Sequence, residues 1–207
     1  MPLGSQHNNH NLKSLFKKDK DFVDKNFEHW IRNKGINVSK IKVFLRERAN
    51  YTDNLILNYW NELNLSNEKD LSLFAVGGYG RKELHPHSDI DLLVLYRKKL
   101  KPANKRRIEE FVSLLWDMGL EVGHSVRSVY EENKIASSDV QVLTNLLESR
   151  FLGGDKNMTL ETKKILESKQ LWKEDTFFEA KLEEQKVRHL RFDNTEYNLE
   201  PNIKSSP

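Results

Sequence analysis

The chain has 207 residues, 34 of them basic and 31 acidic, for a net charge of +3, and it contains no cysteine. The lack of cysteine excludes disulfides and thiolate chemistry and gives a cytoplasmic protein as the expectation. The near balance of charges leaves no long basic face for nucleic acid, and no apolar run approaches the roughly 20 residues that cross a bilayer.

The polar opening, MPLGSQHNNHN, is expected to be disordered or tag-like over residues 1–11. Residues 12–31 carry Leu15, Phe16, Phe22, Val23, Phe27, Trp30 and Ile31 at helical spacing, and Gly35 stops that helix. Ser39 reads as the N-cap of a longer helix to about Leu63, with Ile41, Phe44, Leu45, Leu55, Tyr59, Trp60 and Leu63 as its core-facing stripe. Residues 12–66 are therefore expected as a helical extension.

Residues 67–150 hold the chemistry. A short apolar run over residues 71–76 ends in Gly77 and Gly78, as a buried strand does when it enters a tight turn. Ten residues later comes Asp89-Ile90-Asp91, followed by the apolar run LLVLY of a second buried strand. Alternation along a strand puts Asp89 and Asp91 on one face. Two adjacent carboxylates repel and resist desolvation, and a divalent cation with a taste for hard oxygen ligands, such as magnesium, relieves both problems. If the glycine pair opens a short helix through Leu84, its free amides face an anion. Arg81 adds a planar fork suited to phosphate. Together these describe a nucleoside triphosphate site. His85-Pro86-His87 has no third ligand at usable spacing and reads as a turn.

The string RKKLKPANKRR, residues 97–107, reads as a solvated loop broken at Pro102. A docking patch for an acidic partner is the competing reading. A helix follows over residues 105–118, with Ile108, Phe111, Val112, Leu115 and Trp116 facing inward and Gly119 ending it. Residues 120–129 then alternate. Leu120, Val122 and Val126 take one face, with His124 as a hydrogen-bonded core residue, and Glu121, Gly123, Ser125 and Arg127 take the other. Asp139 and the two serines before it cap a helix running through Glu148. Arg150 follows, and Gly153-Gly154-Asp155 reads as a turn. Residues 158–168 and 171–192 are expected as two helices, the second ending in a basic cluster of Lys186, Arg188, His189 and Arg191 that is best read as a solvated helix end.

The spacing of Gly77-Gly78 from Asp89-Ile90-Asp91-Leu92 resembles the signature of the polymerase-β-like nucleotidyltransferases. The longer strings GGYGRKELHPHSDIDLL, GLEVGHSVRS, LLESRFLGG and YNLEPNIKSSP are similar to a narrower family, the N-terminal domain of the bacterial PII uridylyltransferase/uridylyl-removing enzymes. That resemblance covers the chain from about Leu71 to its end. It implies an α/β fold, a small mixed-sheet nucleotidyltransferase core with helical extensions at both ends. The second extension, residues 151–207, would stop short of a His-Asp phosphohydrolase domain and two ACT domains.

The activity implied is transfer of UMP from UTP to a tyrosine of the PII nitrogen-signalling protein. Asp89 and Asp91 would be the catalytic, metal-holding acids for two Mg2+ ions. The superfamily keeps a third acid on the strand after the Asp-x-Asp strand, where Glu121 stands, with Asp117 and Glu148 as its competitors. Gly77, Gly78, Arg81 and Ser88 would bind the nucleotide. Nothing in the acids selects the base, so a nucleotidyltransferase with another nucleotide or acceptor is an alternative reading. A non-catalytic nucleotide-binding module is another, although paired metal ligands speak for catalysis.

Overall fold

The computed structural model describes residues 38–85, 88–168 and 172–190. The helix expected over residues 12–31 lies outside them, as does most of the 85–87 turn. The first described element is helix α1, Val38–Glu62, so Ser39 already lies inside a helical turn and does not cap it. Ala49, Leu55, Ile56, Tyr59 and Trp60 form its buried stripe. Strand β1, Leu71–Ala75, is buried at every position and leads into α2, Gly77–Gly80, a single turn that ends well short of Leu84. Strand β2, Ile90–Tyr96, runs back beside it.

Helix α3 spans Pro102–Asp117 and starts at the very residue read as a break. Proline is disruptive inside a helix but suits its first position, where the missing N–H has no partner to lose. Gly119, at φ +77°, turns the chain out of α3. Strand β3, Val122–Ser128, follows, and Ser128 caps α4, Val129–Ala136, through a capping box with Glu131. Asp139 then caps α5, Val140–Leu147, as the sequence predicts.

Strand β4, Arg150–Gly154, replaces the predicted glycine turn. Gly153 and Gly154 are sheet residues: a side chain at Gly153 would press on Leu57 and one at Gly154 on the β1 backbone. Helices α6, Met158–Leu166, and α7, Glu174–Leu190, complete the described chain.

The four strands make one mixed sheet in the order β3-β2-β1-β4. β1 pairs antiparallel with both β2 and β4, whereas β2 and β3 are parallel and need the α3 crossover between them. One face carries Leu71, Leu73, Ala75, Ile90, Leu92 and Val94, covered by α1 and α3, where Trp60 meets Phe111 edge to face at 5.2 Å. The other carries Phe74, Val76, Leu93 and Leu95, covered by α4, α5 and α6. Two predicted core residues lie elsewhere. Trp116 is 53% exposed, its indole N–H donating to the Val122 carbonyl, and His124 is exposed and packs edge to face against it. Among the described residues β3 is an edge strand, with no layer beyond α3 to bury them.

Candidate active site

The glycine turn and the acids meet at one edge of the sheet, where β1 ends and β2, β3 and β4 begin. Asp91 pairs in register with Gly123, and its carbonyl accepts from the Val76 amide at 3.0 Å. The Ile90 amide donates to the Glu121 carbonyl at 2.8 Å, so Asp89 and Glu121 occupy neighbouring positions just before the first β2–β3 pair. By strand alternation Asp89, Asp91, Glu121 and Gly123 share a face.

Glycine at 123 makes room for this arrangement. A Cβ there would come within 2.6 Å of Asp91 Oδ1, a separation that real side chains do not adopt. The Asp91 carboxylate lies across the start of β3, over the one residue that has nothing to displace it. Its other oxygen, Oδ2, lies 3.3 Å from the place a Cβ would take on Gly77. Gly77 has φ +58°, a left-handed conformation that glycine adopts without cost. Asp91 is thus bracketed by two glycines from different elements.

Of the other predicted nucleotide residues, Gly78 would meet only ordinary contacts, with the nearest atoms 3.6 and 3.8 Å from the place its Cβ would take. Ser88 is half-buried, and its amide donates to the His85 carbonyl at 3.1 Å. Arg81 is engaged with protein carboxylates: its Nη1 pairs with Glu148 at 2.6 Å and its Nε with Glu83 at 2.8 Å. Glu148, a competitor for the third acid, is therefore occupied with Arg81, and Asp117 is the last residue of α3 and not a strand residue. Among the described residues, no three His, Asp or Glu side chains are gathered closely enough to hold an ion. The acids share an edge and an all-oxygen donor chemistry that suits magnesium.

The turn is anchored by residues whose pairing no sequence motif marks. Arg150, the first residue of β4, grips Asp53 of α1 with both ends of its guanidinium, at 2.7 and 3.0 Å. It also donates to the carbonyls of Gly80 at 3.1 Å and Tyr79 at 3.2 Å, and lies 5.4 Å from the Tyr79 ring centre. The buried Tyr79 hydroxyl donates to Asp53 at 2.6 Å. Burial, and then the Asp53 charge, push the Tyr79 phenol well above its ordinary range, so it remains a donor. One arginine fork thereby ties α1, α2 and β4 together beneath the glycine turn. No local pattern announces it, because its members are separated by up to 97 positions.

This chain belongs to the nucleotidyltransferase domain family, whose model matches residues 55–198. Two steps of similarity narrow that class. The bifunctional uridylyltransferase/uridylyl-removing enzyme of Azotobacter vinelandii is 46% identical over 167 residues, covering 81% of this chain and 19% of that protein. The enzyme of the same description from Vibrio vulnificus is 46% identical over 172 residues, covering 83% and 20%. The chain spans about a fifth of the length of these relatives. Among solved structures, a toxin–antitoxin crystal structure with AMP-PNP covers 69% of this chain and 96% of its own at 15% identity, with a TM-score of 0.33. That loose likeness adds nothing to the family match.

Proposed function

We propose that this nucleotidyltransferase domain transfers UMP from UTP to a tyrosine of the PII signal protein in the cytoplasm. The observation that carries the reading is the Asp91 carboxylate, laid between Gly77 of the turn and Gly123 of β3. UTP follows from the similarity to uridylyltransferases, and PII from the resemblance of strings such as GGYGRKELHPHSDIDLL to the PII uridylyltransferases.

Asp89, Asp91 and Glu121 would hold magnesium, with two ions expected when the triphosphate is bound. Bound magnesium supplies neutralisation of the triphosphate charge and favours the ionised acceptor hydroxyl. The chain's own residues do the positioning. Gly77 and Gly78 let the backbone approach phosphate oxygens, and the amides of Gly77, Gly78 and Tyr79, at the start of α2, have no partner within that helix. Ser88 offers a hydroxyl nearby, and Arg81 reaches phosphate by exchanging Glu148 for it. In the reaction the tyrosine oxygen bonds to the α-phosphorus, the bridging bond to the β-phosphate breaks, pyrophosphate departs and the hydroxyl proton passes to solvent. Catalysis is then mostly alignment and charge stabilisation.

The test is incubation of the 207-residue chain with UTP, magnesium and PII protein, followed by mass analysis of PII. Covalent UMP on a tyrosine is the expected result. Labelling from ATP with none from UTP would overturn the uridylyl assignment.

A further inference from the structure

Asn145 stands at the same glycine, reaching it from helix α5. Its Oδ1 lies 3.6 Å from the place a Cβ would take on Gly77, a point that Asp91 Oδ2 approaches to 3.3 Å. Helix α5 fixes it there. Asp139 caps that helix by accepting from the amides of Gln141 at 2.8 Å and Val142 at 3.2 Å, and Leu143 and Leu146 are buried. The neighbouring Thr144 hydroxyl is used up within the helix, donating to the Val140 carbonyl at 2.7 Å. The half-buried Asn145 carboxamide, by contrast, has no hydrogen-bond partner among the described residues. An amide held in place, with donor and acceptor both unused, shares the space over a bare glycine with a carboxylate.

We infer that Asn145 binds a sugar hydroxyl of the nucleoside triphosphate, an inference that rests on the proposed nucleotide site. The covalent order of a nucleotide places the ribose directly beside the α-phosphate, so a side chain next to the phosphate turn meets the sugar before the base. A hydroxyl both donates and accepts, matching either end of a carboxamide, whereas a phosphate oxygen can use only the nitrogen end. Asn145 is accordingly a residue that reads one of the two free ribose hydroxyls.

The experiment measures equilibrium binding of magnesium-UTP, 2′-deoxy-UTP and 3′-deoxy-UTP to the 207-residue chain and to its Asn145→Ala variant. In the parent, one of the two deoxy compounds should bind about fivefold more weakly than UTP, the worth of one hydrogen bond. The variant should bind UTP more weakly by the same factor and be indifferent to that hydroxyl. The pair of analogues identifies which hydroxyl is read. Asn145→Leu, nearly the same shape, should give the same binding pattern, and neither variant should shift the unfolding midpoint without nucleotide, as a packing role would. Additive losses from the variant and the missing hydroxyl, or undiminished UTP binding by the variants, would overturn the inference alone. A parent that binds no triphosphate would overturn the proposed function with it.

Discussion

Gly123 shows how much a missing side chain can decide. An alanine there is compatible with a strand, and its Cβ would displace only Asp91 Oδ1, the end of a side chain that can rotate. Gly123→Ala is therefore expected to leave the unfolding midpoint nearly unchanged while lowering transfer about a hundredfold, the cost of a reacting group displaced by about 1 Å. Parallel thermal melts and initial rates check this, and unaltered rates would remove Asp91 from the site. Asp91→Asn keeps the shape and removes the charge. It should abolish transfer by several orders of magnitude with the fold intact, and retained transfer in that variant would contradict the metal-holding role.

Between elements, the Arg150 fork is the joint that holds the α2 turn against α1. Replacing it by Met leaves Asp53 half-buried and without its cation, which should cost about 3 kcal/mol of stability in urea unfolding. Triphosphate affinity should fall as well, since the turn loses its anchor. Arg150→Lys should not restore either property, because an ammonium cannot serve a carboxylate and two carbonyls in one plane. A full rescue by lysine would show that charge alone matters.

A second joint links α4 to β3, where Glu132, 2% exposed, pairs with Arg127 at 3.0 Å. Burial raises the Glu132 carboxyl above the ordinary carboxylate range, against the opposing pull of Arg127. The protonated form is thus favoured by folding. Its contribution to stability is full below the unfolded carboxyl's pKa and is lost as pH rises through the raised one. Glu132→Gln removes that dependence, so its stability relative to the parent should improve as pH rises from about 4 to 7. Urea unfolding across that range measures the difference, and a slope of the opposite sign would mean that the Arg127 pairing outweighs burial.

At the scale of the whole molecule, the proposed transfer is chemically distinct from removal of UMP. Hydrolysis of a tyrosyl-UMP bond by a metal-bound hydroxide calls for clustered His and Asp ligands, and the seven histidines of this sequence include no adjacent His-Asp pair. The 207-residue chain is accordingly expected to add UMP to PII, and to release none from uridylylated PII in magnesium or manganese, with or without glutamine. Release of UMP above background would place a hydrolytic site within these residues. Among the described residues, no helix is long and apolar enough to cross a membrane.

Local chemistry determined what the sequence could say unaided. The Gly77-Gly78 turn, the Asp89-x-Asp91 pair, the buried strands on either side of them and the Asp139 cap are each written in a few consecutive residues, whose conformations follow from glycine's freedom, strand alternation and side-chain capping. At the Ser128–Glu131 capping box and at Pro102 in the first turn of α3, the rule is equally local, and the signal stands in the sequence for anyone who applies it. Other features depended on partners distant in the chain. Gly153-Gly154 is a strand because β1 supplies a free edge beside it, and Trp116 and His124 are exposed because β3 ends the sheet. Arg81 faces Glu148, and Arg150 faces Asp53, only once α5 and α1 have packed beside the turn. Gly123 and Asn145 acquired their relation to Asp91 in the same way. A side chain's partner across a sheet or between layers is chosen by register and packing, and those come into existence only when the whole chain has folded.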